Sequence, residues 1–244
     1  MTQSATKPVL EVTALEGGYG SVQILNGIDL KVEQGEFVTI IGPNGCGKST
    51  FLKSIFGLAS QYSGVVSHDG ENVSGWRTDR LASRGIGYVP QIDNVFPSLT
   101  VQENMEMGGL EIRATELNEC IERVCWIFPE LESRLKDLAA SLSGGERQML
   151  AISRALISGP TFLMLDEPTA ALSPKYQQQI IGCIDGLRNK GVTVLLVEQN
   201  ARLSLERSDR GYIFAGGQVV HTGKASDLLE DKDIGAYFLG DRQA

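Results

Sequence analysis

Residues Phe37–Thr50 read FVTIIGPNGCGKST, and this stretch decides the fold. A short β-branched run, FVTIIG at 37–42, breaks into a glycine loop, which runs into helix formers from Lys48 to Leu58. The loop satisfies the spacing G-x-x-x-x-G-K-[ST], with a strand before it and a helix after it. That order builds an anion cradle. Glycines let main-chain N–H groups turn inward without a Cβ in the way, and the helix start adds partial positive charge. The cradle is Gly42, Pro43, Asn44, Gly45, Cys46, Gly47, Lys48, Ser49 and Thr50. In such a loop the lysine reaches the β- and γ-phosphates of a nucleotide and the serine offers its hydroxyl to Mg²⁺.

Outward from the loop, strands and helices alternate. VLEVTAL (9–15), GIGYVP (85–90), TFLMLD (161–166) and VTVLLV (192–197) are further strand candidates. Helix candidates are Val101–Leu110, Thr115–Ile127, Glu146–Ile157 and Pro174–Lys190, the last with Ser173 as N-cap and Pro174 in its first turn. The alternation predicts a parallel sheet covered by helices. The strands at 85–90, 161–166 and 192–197 are almost wholly apolar, as strands buried on both faces are. From Gln91 to Ser158 helix follows helix, which predicts a helical insertion. GYIFAGGQVVHTGKASDLL reads as a hairpin about Gly216-Gly217, then a short helix.

Two strand ends carry chemistry. TFLMLDEP closes on Asp166-Glu167, and ligands of an open α/β sheet sit at the carboxyl ends of its strands. Asp166 is placed to hold Mg²⁺, and Glu167 to take a proton from the attacking water. GVTVLLVEQNA closes on Glu198-Gln199-Asn200, an acid and two amides that must face something.

The totals set bounds. The chain's 244 residues, 42% of them apolar, suffice for a sizeable core. Its net charge of −8 disfavours a nucleic-acid partner, which needs a basic face. No apolar run approaches the roughly 20 residues of a membrane span. The opening MTQSATKPVLEV lacks a signal peptide's apolar core and reads as a loose tail of about seven residues. Cys46, Cys120, Cys125 and Cys183 show no CxxC spacing, which fits a reduced, cytoplasmic setting rather than zinc or disulfides.

LSGGERQMLAISRAL, Leu142 to Leu156, narrows the class. By itself its Ser-Gly-Gly turn is another small anion-binding helix start. Between the phosphate loop and the carboxylates, it closely resembles the signature motif of ATP-binding-cassette (ABC) ATPases. The resemblance runs from about residue 9 to 240, with five motifs in the family's order. It implies an α/β P-loop NTPase of ABC type, with a mixed sheet core, an antiparallel β portion and a helical subdomain. The implied single domain spans 1–244, with core segments 8–90 and 159–240 around the subdomain 91–158.

The resemblance also assigns roles. Tyr19 in GGYGS matches the aromatic that stacks on adenine; by itself it also suits a turn tyrosine packed on the core. Gln91 in YVPQ matches a glutamine that touches Mg²⁺ and links to the transport partner, or is an ordinary strand-end amide. Ser143, Gly144, Gly145 and Glu146 match the segment that holds ATP on an opposite subunit. The implied cofactors are ATP and Mg²⁺. The implied partners are a second ATPase protomer, like or unlike, a separate membrane permease and, indirectly, a solute-binding protein, with no nucleic acid.

Two positions depart from the broad pattern: Ser173 replaces the usual Asp, and Gln199 the usual His. Glutamine can donate a hydrogen bond to a phosphate but cannot shuttle a proton near neutral pH. Glu167 must then activate water, with Gln199 as its catalytic companion. VEQNA, the signature stretch and the closing AYFLG together resemble the branch energising branched-chain amino acid importers, or related urea and amide importers. That places the chain on the cytoplasmic face of the inner membrane, held through its permease. QIDNVFPSLTVQENMEM (91–107) is the expected coupling surface, unless Phe96 and Leu99 simply pack in a core. His68 and His221 read as incidental. The alternatives are a soluble, non-transport ABC ATPase and a subunit that binds nucleotide without hydrolysing it.

Overall fold

The computed structural model describes residues 8–92 and 94–231. The tail at 1–7 and the closing AYFLG at 236–240 lie outside the described residues. The first part runs β1 (Leu10–Tyr19), β2 (Val22–Val32), β3 (Phe37–Ile41), α1 (Lys48–Ile55), β4 (Ser60–His68), β5 (Glu71–Asn72), α2 (Thr78–Ser83) and β6 (Ile86–Val89). Helices follow: α3 (Val101–Met107), α4 (Ala114–Cys125), α5 (Pro129–Glu132) and α6 (Gly144–Ile157). The last part runs β7 (Phe162–Asp166), α7 (Pro174–Arg188), β8 (Thr193–Val197), α8 (Ala201–Leu205), β9 (Arg210–Ala215), β10 (Gln218–Lys224) and α9 (Ala225–Glu230).

Six strands form one sheet in the order β10-β9-β3-β8-β7-β6. β9, β3, β8, β7 and β6 pair in parallel, and β10 closes the edge antiparallel to β9. Its turn is Gly216-Gly217, both at positive φ, the backbone a two-residue hairpin needs. β3, β7 and β8 are buried at every residue. Their side chains alternate between two cores. Val38, Ile40, Met164, Leu195 and Val197 face the antiparallel sheet β2-β1-β4-β5, while Leu163, Leu165, Val194 and Leu196 face α6 and α7.

The register matters for the site. Ile40 stands opposite Val197, and Val197 opposite Asp166. The loops leaving β3, β8 and β7 therefore emerge side by side at one edge of the sheet.

Several expected elements differ in detail. The helix expected to reach Leu58 stops at Ile55, because Gly57 turns left-handed and lies too close to the Trp76 carbonyl for any Cβ. α3 ends at Met107, not Leu110; it begins on a capping box made by Thr100 and Glu103. Ser173 occupies the N-cap position of α7 but its side chain makes no capping bond, so Pro174 supplies the start. β1 extends to Tyr19, past the expected end at Leu15, because it pairs with both β2 and β4.

Candidate functional site

Gly42–Gly47 bridges β3 and α1. Gly42 has no room for a side chain: a Cβ would lie 2.2 Å from the Phe214 carbonyl oxygen and 2.9 Å from Cys46 Sγ. Gly47, at φ 104°, is the N-cap of α1 and leaves that helix without a side-chain cap. The amides of the first turn are therefore not taken by any side-chain cap. The Cys46 thiol is buried, and burial pushes its pKa up, so it stays protonated.

Lys48 is only 4% exposed. Its ammonium folds back over the loop, donating to the Gly42 carbonyl at 2.8 Å and the Pro43 carbonyl at 3.2 Å. It also lies 3.7 Å from Glu167 Oε1. Ser49 Oγ donates to Asp166 Oδ1 at 2.8 Å, across 117 residues of chain. Tyr88, whose hydroxyl lies 3.4 Å from Asp166 Oδ2, completes the surround of that buried carboxylate. Burial pushes the Asp166 carboxyl above its ordinary value, against the pull of the Ser49 bond, Lys53, Tyr88 and Lys48. Asp166 and Ser49 present hard oxygen donors within one contact of each other, a set that suits Mg²⁺.

Glu167 stands at φ 46°, a left-handed conformation that costs a non-glycine residue about 1–2 kcal/mol. Ala171, four residues on, is also left-handed at φ 58°. The Glu167 amide donates to the Val197 carbonyl at 2.9 Å, and Gln91 Nε2 donates to Glu167 Oε2 at 2.8 Å. Glu167 also lines two small hollows. One, of about 210 Å³, includes Gly45, Gly47, Lys48, Ser49 and Thr50; the other, of about 270 Å³, includes Thr169, Glu198 and Gln199. The side chain thus stands between the phosphate loop and the end of β8. A hollow of about 780 Å³ beside Trp126 contains none of these residues.

Tyr19, 44% exposed, ends β1 beside a hollow it shares with Trp76 and Gln61. Its ring is therefore no core side chain. The Tyr62 hydroxyl donates to the Gly20 carbonyl and fixes that turn. Gln199 is exposed at the end of β8, within the same hollow as Glu167.

The Ser143 turn sits elsewhere. Ser143 caps α6 in a capping box: its hydroxyl accepts from the Glu146 amide, and the Glu146 carboxylate accepts from the Ser143 amide. Glu146 is tied further to Arg134 at 2.8 Å. A Cβ on Gly145 would lie 2.6 Å from the Tyr176 ring, whereas Gly144 has room. Among the described residues no hydrogen bond or ion pair joins Ser143–Glu146 to the phosphate loop.

Between these two regions lies the segment after β6. Phe96 is exposed and Leu99 half-buried. Asn104, wholly buried, pins this loop by accepting from the Phe96 amide and donating to the Phe96 and Thr100 carbonyls. Asn94 donates to Gln148 on α6 at 2.9 Å. His68 is buried among the Val9 and Arg84 carbonyls and the Phe162 ring, a structural residue far from this chemistry. Sequence reasoning missed Tyr88, Thr169 and Glu198 as site neighbours; each lay inside or beside a motif already singled out, but nothing local marked its contact.

A glycine loop feeding uncapped amides, a lysine over it, and two adjacent acids at the end of β7 define a nucleotide-binding P-loop ATPase. Residues 25–170 match the family model described as ABC transporter. Over 233 residues the chain is 42% identical to the probable branched-chain amino acid transport ATP-binding protein LivF of Archaeoglobus fulgidus, spanning 95% of this chain and 99% of that one. It is 40% identical to the high-affinity branched-chain amino acid transport ATP-binding protein BraG of Pseudomonas aeruginosa, spanning 91% and 95%. A crystal structure of an ATP-binding cassette of an ABC transporter, in its ADP conformation, superposes with a TM-score of 0.87 at 25% identity, covering 96% of this chain and 99% of that one. The chain belongs to the ABC transporter family, as one of its ATPase subunits.

Proposed function

We propose that this chain is the ATP-hydrolysing subunit of an importer of branched-chain amino acids, driving a separate membrane permease from the cytoplasmic face. The observation that carries hydrolysis is the convergence of Lys48, Ser49, Asp166, Glu167 and Gln91 through direct contacts. Two relatives at 40% identity or more, along nearly the whole chain, support the choice of solute class. Among the described residues no helix is long and apolar enough to cross a membrane, so the permease is a separate partner in this reading.

Mg²⁺, when bound with ATP, supplies charge neutralisation at the phosphate oxygens. Ser49 and Asp166 would hold it, with Gln91 beside them. Lys48 binds the phosphates, and leaving the loop carbonyls for them uncovers Glu167 Oε1. That oxygen takes a proton from the attacking water while Gln91 steadies Oε2. Gln199 donates to the γ-phosphate and carries no proton. Tyr19 offers its exposed ring to adenine. Ser143, Gly144, Gly145 and Glu146 serve the ATP of a second protomer, so the working unit is a head-to-tail dimer. The segments 8–90 and 159–240 act as the core and 91–158 as a helical subdomain. The loop bearing Ile92 and Phe96 is the permease contact, since these two apolar side chains are exposed.

Purification from membranes tests the partner. A multi-span permease should accompany the chain, and addition of a branched-chain amino acid with its capture protein should stimulate hydrolysis. Recovery with ribosomes and no permease would sink the transport reading.

A further inference from the structure

Glu198 follows β8 directly, and its main-chain amide donates to the Ile40 carbonyl at 3.1 Å, holding it at the sheet edge between the phosphate loop and β7. Its side chain is only 2% exposed. One carboxylate oxygen, Oε1, accepts both the Thr169 amide at 3.0 Å and the Thr169 hydroxyl at 2.8 Å. The other, Oε2, accepts the Gln199 amide at 3.1 Å. This buried acid therefore clamps two chain segments that share one hollow: the turn after Glu167 and the residue expected to meet the γ-phosphate.

The clamped turn needs such a hold. Glu167 and Ala171, on either side of Thr169, are both left-handed without being glycine. Such conformations persist where surrounding contacts over-determine them. On one side the Glu167 amide is tied to the Val197 carbonyl. On the other the Ala170 amide returns to the Glu167 carbonyl, and Thr169 is held by Glu198. Of these ties, those of Glu167 and Thr169 lead to the end of β8.

We propose that Glu198 is a positioning residue for hydrolysis, setting Glu167 and Gln199 relative to each other through Thr169 and the Gln199 amide. This rests on the reading of Glu167 as the base. The chemistry calls for an acid: both oxygens must accept, and only a carboxylate is acceptor-only at both ends. A glutamine could accept from Thr169, but its NH₂ would then face the Gln199 N–H, donor against donor. Burial pushes the Glu198 carboxyl above its ordinary range in spite of these bonds, with Glu167 adding to the push. The three donors on its two oxygens, the Thr169 amide and hydroxyl and the Gln199 amide, oppose that push.

The test compares kcat, KM for ATP and ATP affinity in Glu198→Gln, Thr169→Val, Thr169→Ser and Glu167→Gln. Glu198→Gln should lower kcat about 10-fold or more with KM and affinity within about twofold, because a misplaced base loses rate, not binding. Thr169→Val, which removes the hydroxyl bond alone, should lower kcat by a smaller factor, and Thr169→Ser, which keeps the hydroxyl, should restore it. If Glu198→Gln fails to fold, the valine and serine pair decides. Unchanged kcat in Glu198→Gln or Thr169→Val, with Glu167→Gln inactive, overturns the positioning role alone. Loss of ATP affinity in step with kcat also overturns it, showing a structural prop. Full turnover in Glu167→Gln overturns the reading of the base beneath it.

Discussion

Two helices in this chain open on a turn of glycine and serine, and they treat their first amides in opposite ways. α1 starts at Gly47 with no side-chain cap, so the amides of its first turn face the hollow beside Lys48 and Glu167. α6 starts at Ser143 with a reciprocal capping box, further fastened by Arg134. From the residues alone both are anion-binding helix ends. Folded, one start has no side-chain cap, while at the other the Ser143 and Glu146 amides are taken by each other's side chains. The first terminus serves binding at the expense of local stability. The second is locally stable, and a ligand reaching the Ser143 amide must compete with Glu146.

The largest test of this contrast is at the open end. Lys48→Ala should weaken ATP binding about 10²-fold, the loss of a charge-assisted pair of bonds, measured by titration with a fluorescent nucleotide. Affinity within threefold of the parent would mean that α1 is not the phosphate end.

At the capped end the changes should appear in stability first. Gly145→Ala should destabilise by about 2 kcal/mol, because its Cβ would meet the root of the Tyr176 ring and force that side chain or the backbone to shift. Gly144→Ala should cost nothing measurable, since the nearest atom is Leu172 Cδ2 at 3.6 Å. Urea denaturation separates the two; equal losses would show that backbone freedom rather than packing selects both glycines.

The smallest effect is expected at Glu146. Part burial opposes it, but the bonds from the Ser143 amide and hydroxyl and from Arg134 hold its carboxyl below the ordinary glutamate value. A lowered folded value means stabilisation that is present above the unfolded value and lost as pH falls through the folded one. Glu146→Ala should therefore cost about 1 kcal/mol at neutral pH, with the gap closing in acid. A gap independent of pH would assign the loss to packing.

Legibility in the sequence followed the range of the interactions. β3, β7 and β8 were readable because strands buried on both faces are continuous apolar runs. β2 was not: many of its residues are exposed or half-buried, Gly27 interrupts it at positive φ, and its strand pairing is with β1. The phosphate loop, the Asp166-Glu167 pair and the Ser-Gly-Gly start stood out because each is a run of adjacent residues. The Glu198–Thr169 clamp did not, since an acid before Gln199 carries no local sign of the turn it holds 29 residues away.

What the sequence determined by itself is the chemistry of each piece: a loop without Cβ atoms, a lysine and serine at a helix start, acids at a strand end, an amide in place of a histidine. These properties are local, set by backbone freedom and side-chain type. The tertiary structure alone decided which pieces meet. Placing β8 between β3 and β7, in a register that levels Ile40, Val197 and Asp166, brings Ser49 to Asp166 across 117 residues and Gln91 to Glu167 across 76. The cap that separates the two helix starts is itself local, joining Ser143 to Glu146 three residues on, whereas Gly47 has no side chain to offer. What the packed fold adds is Glu167 beside the uncapped start and Arg134 fastened to the capped one, because neither neighbour is near in sequence.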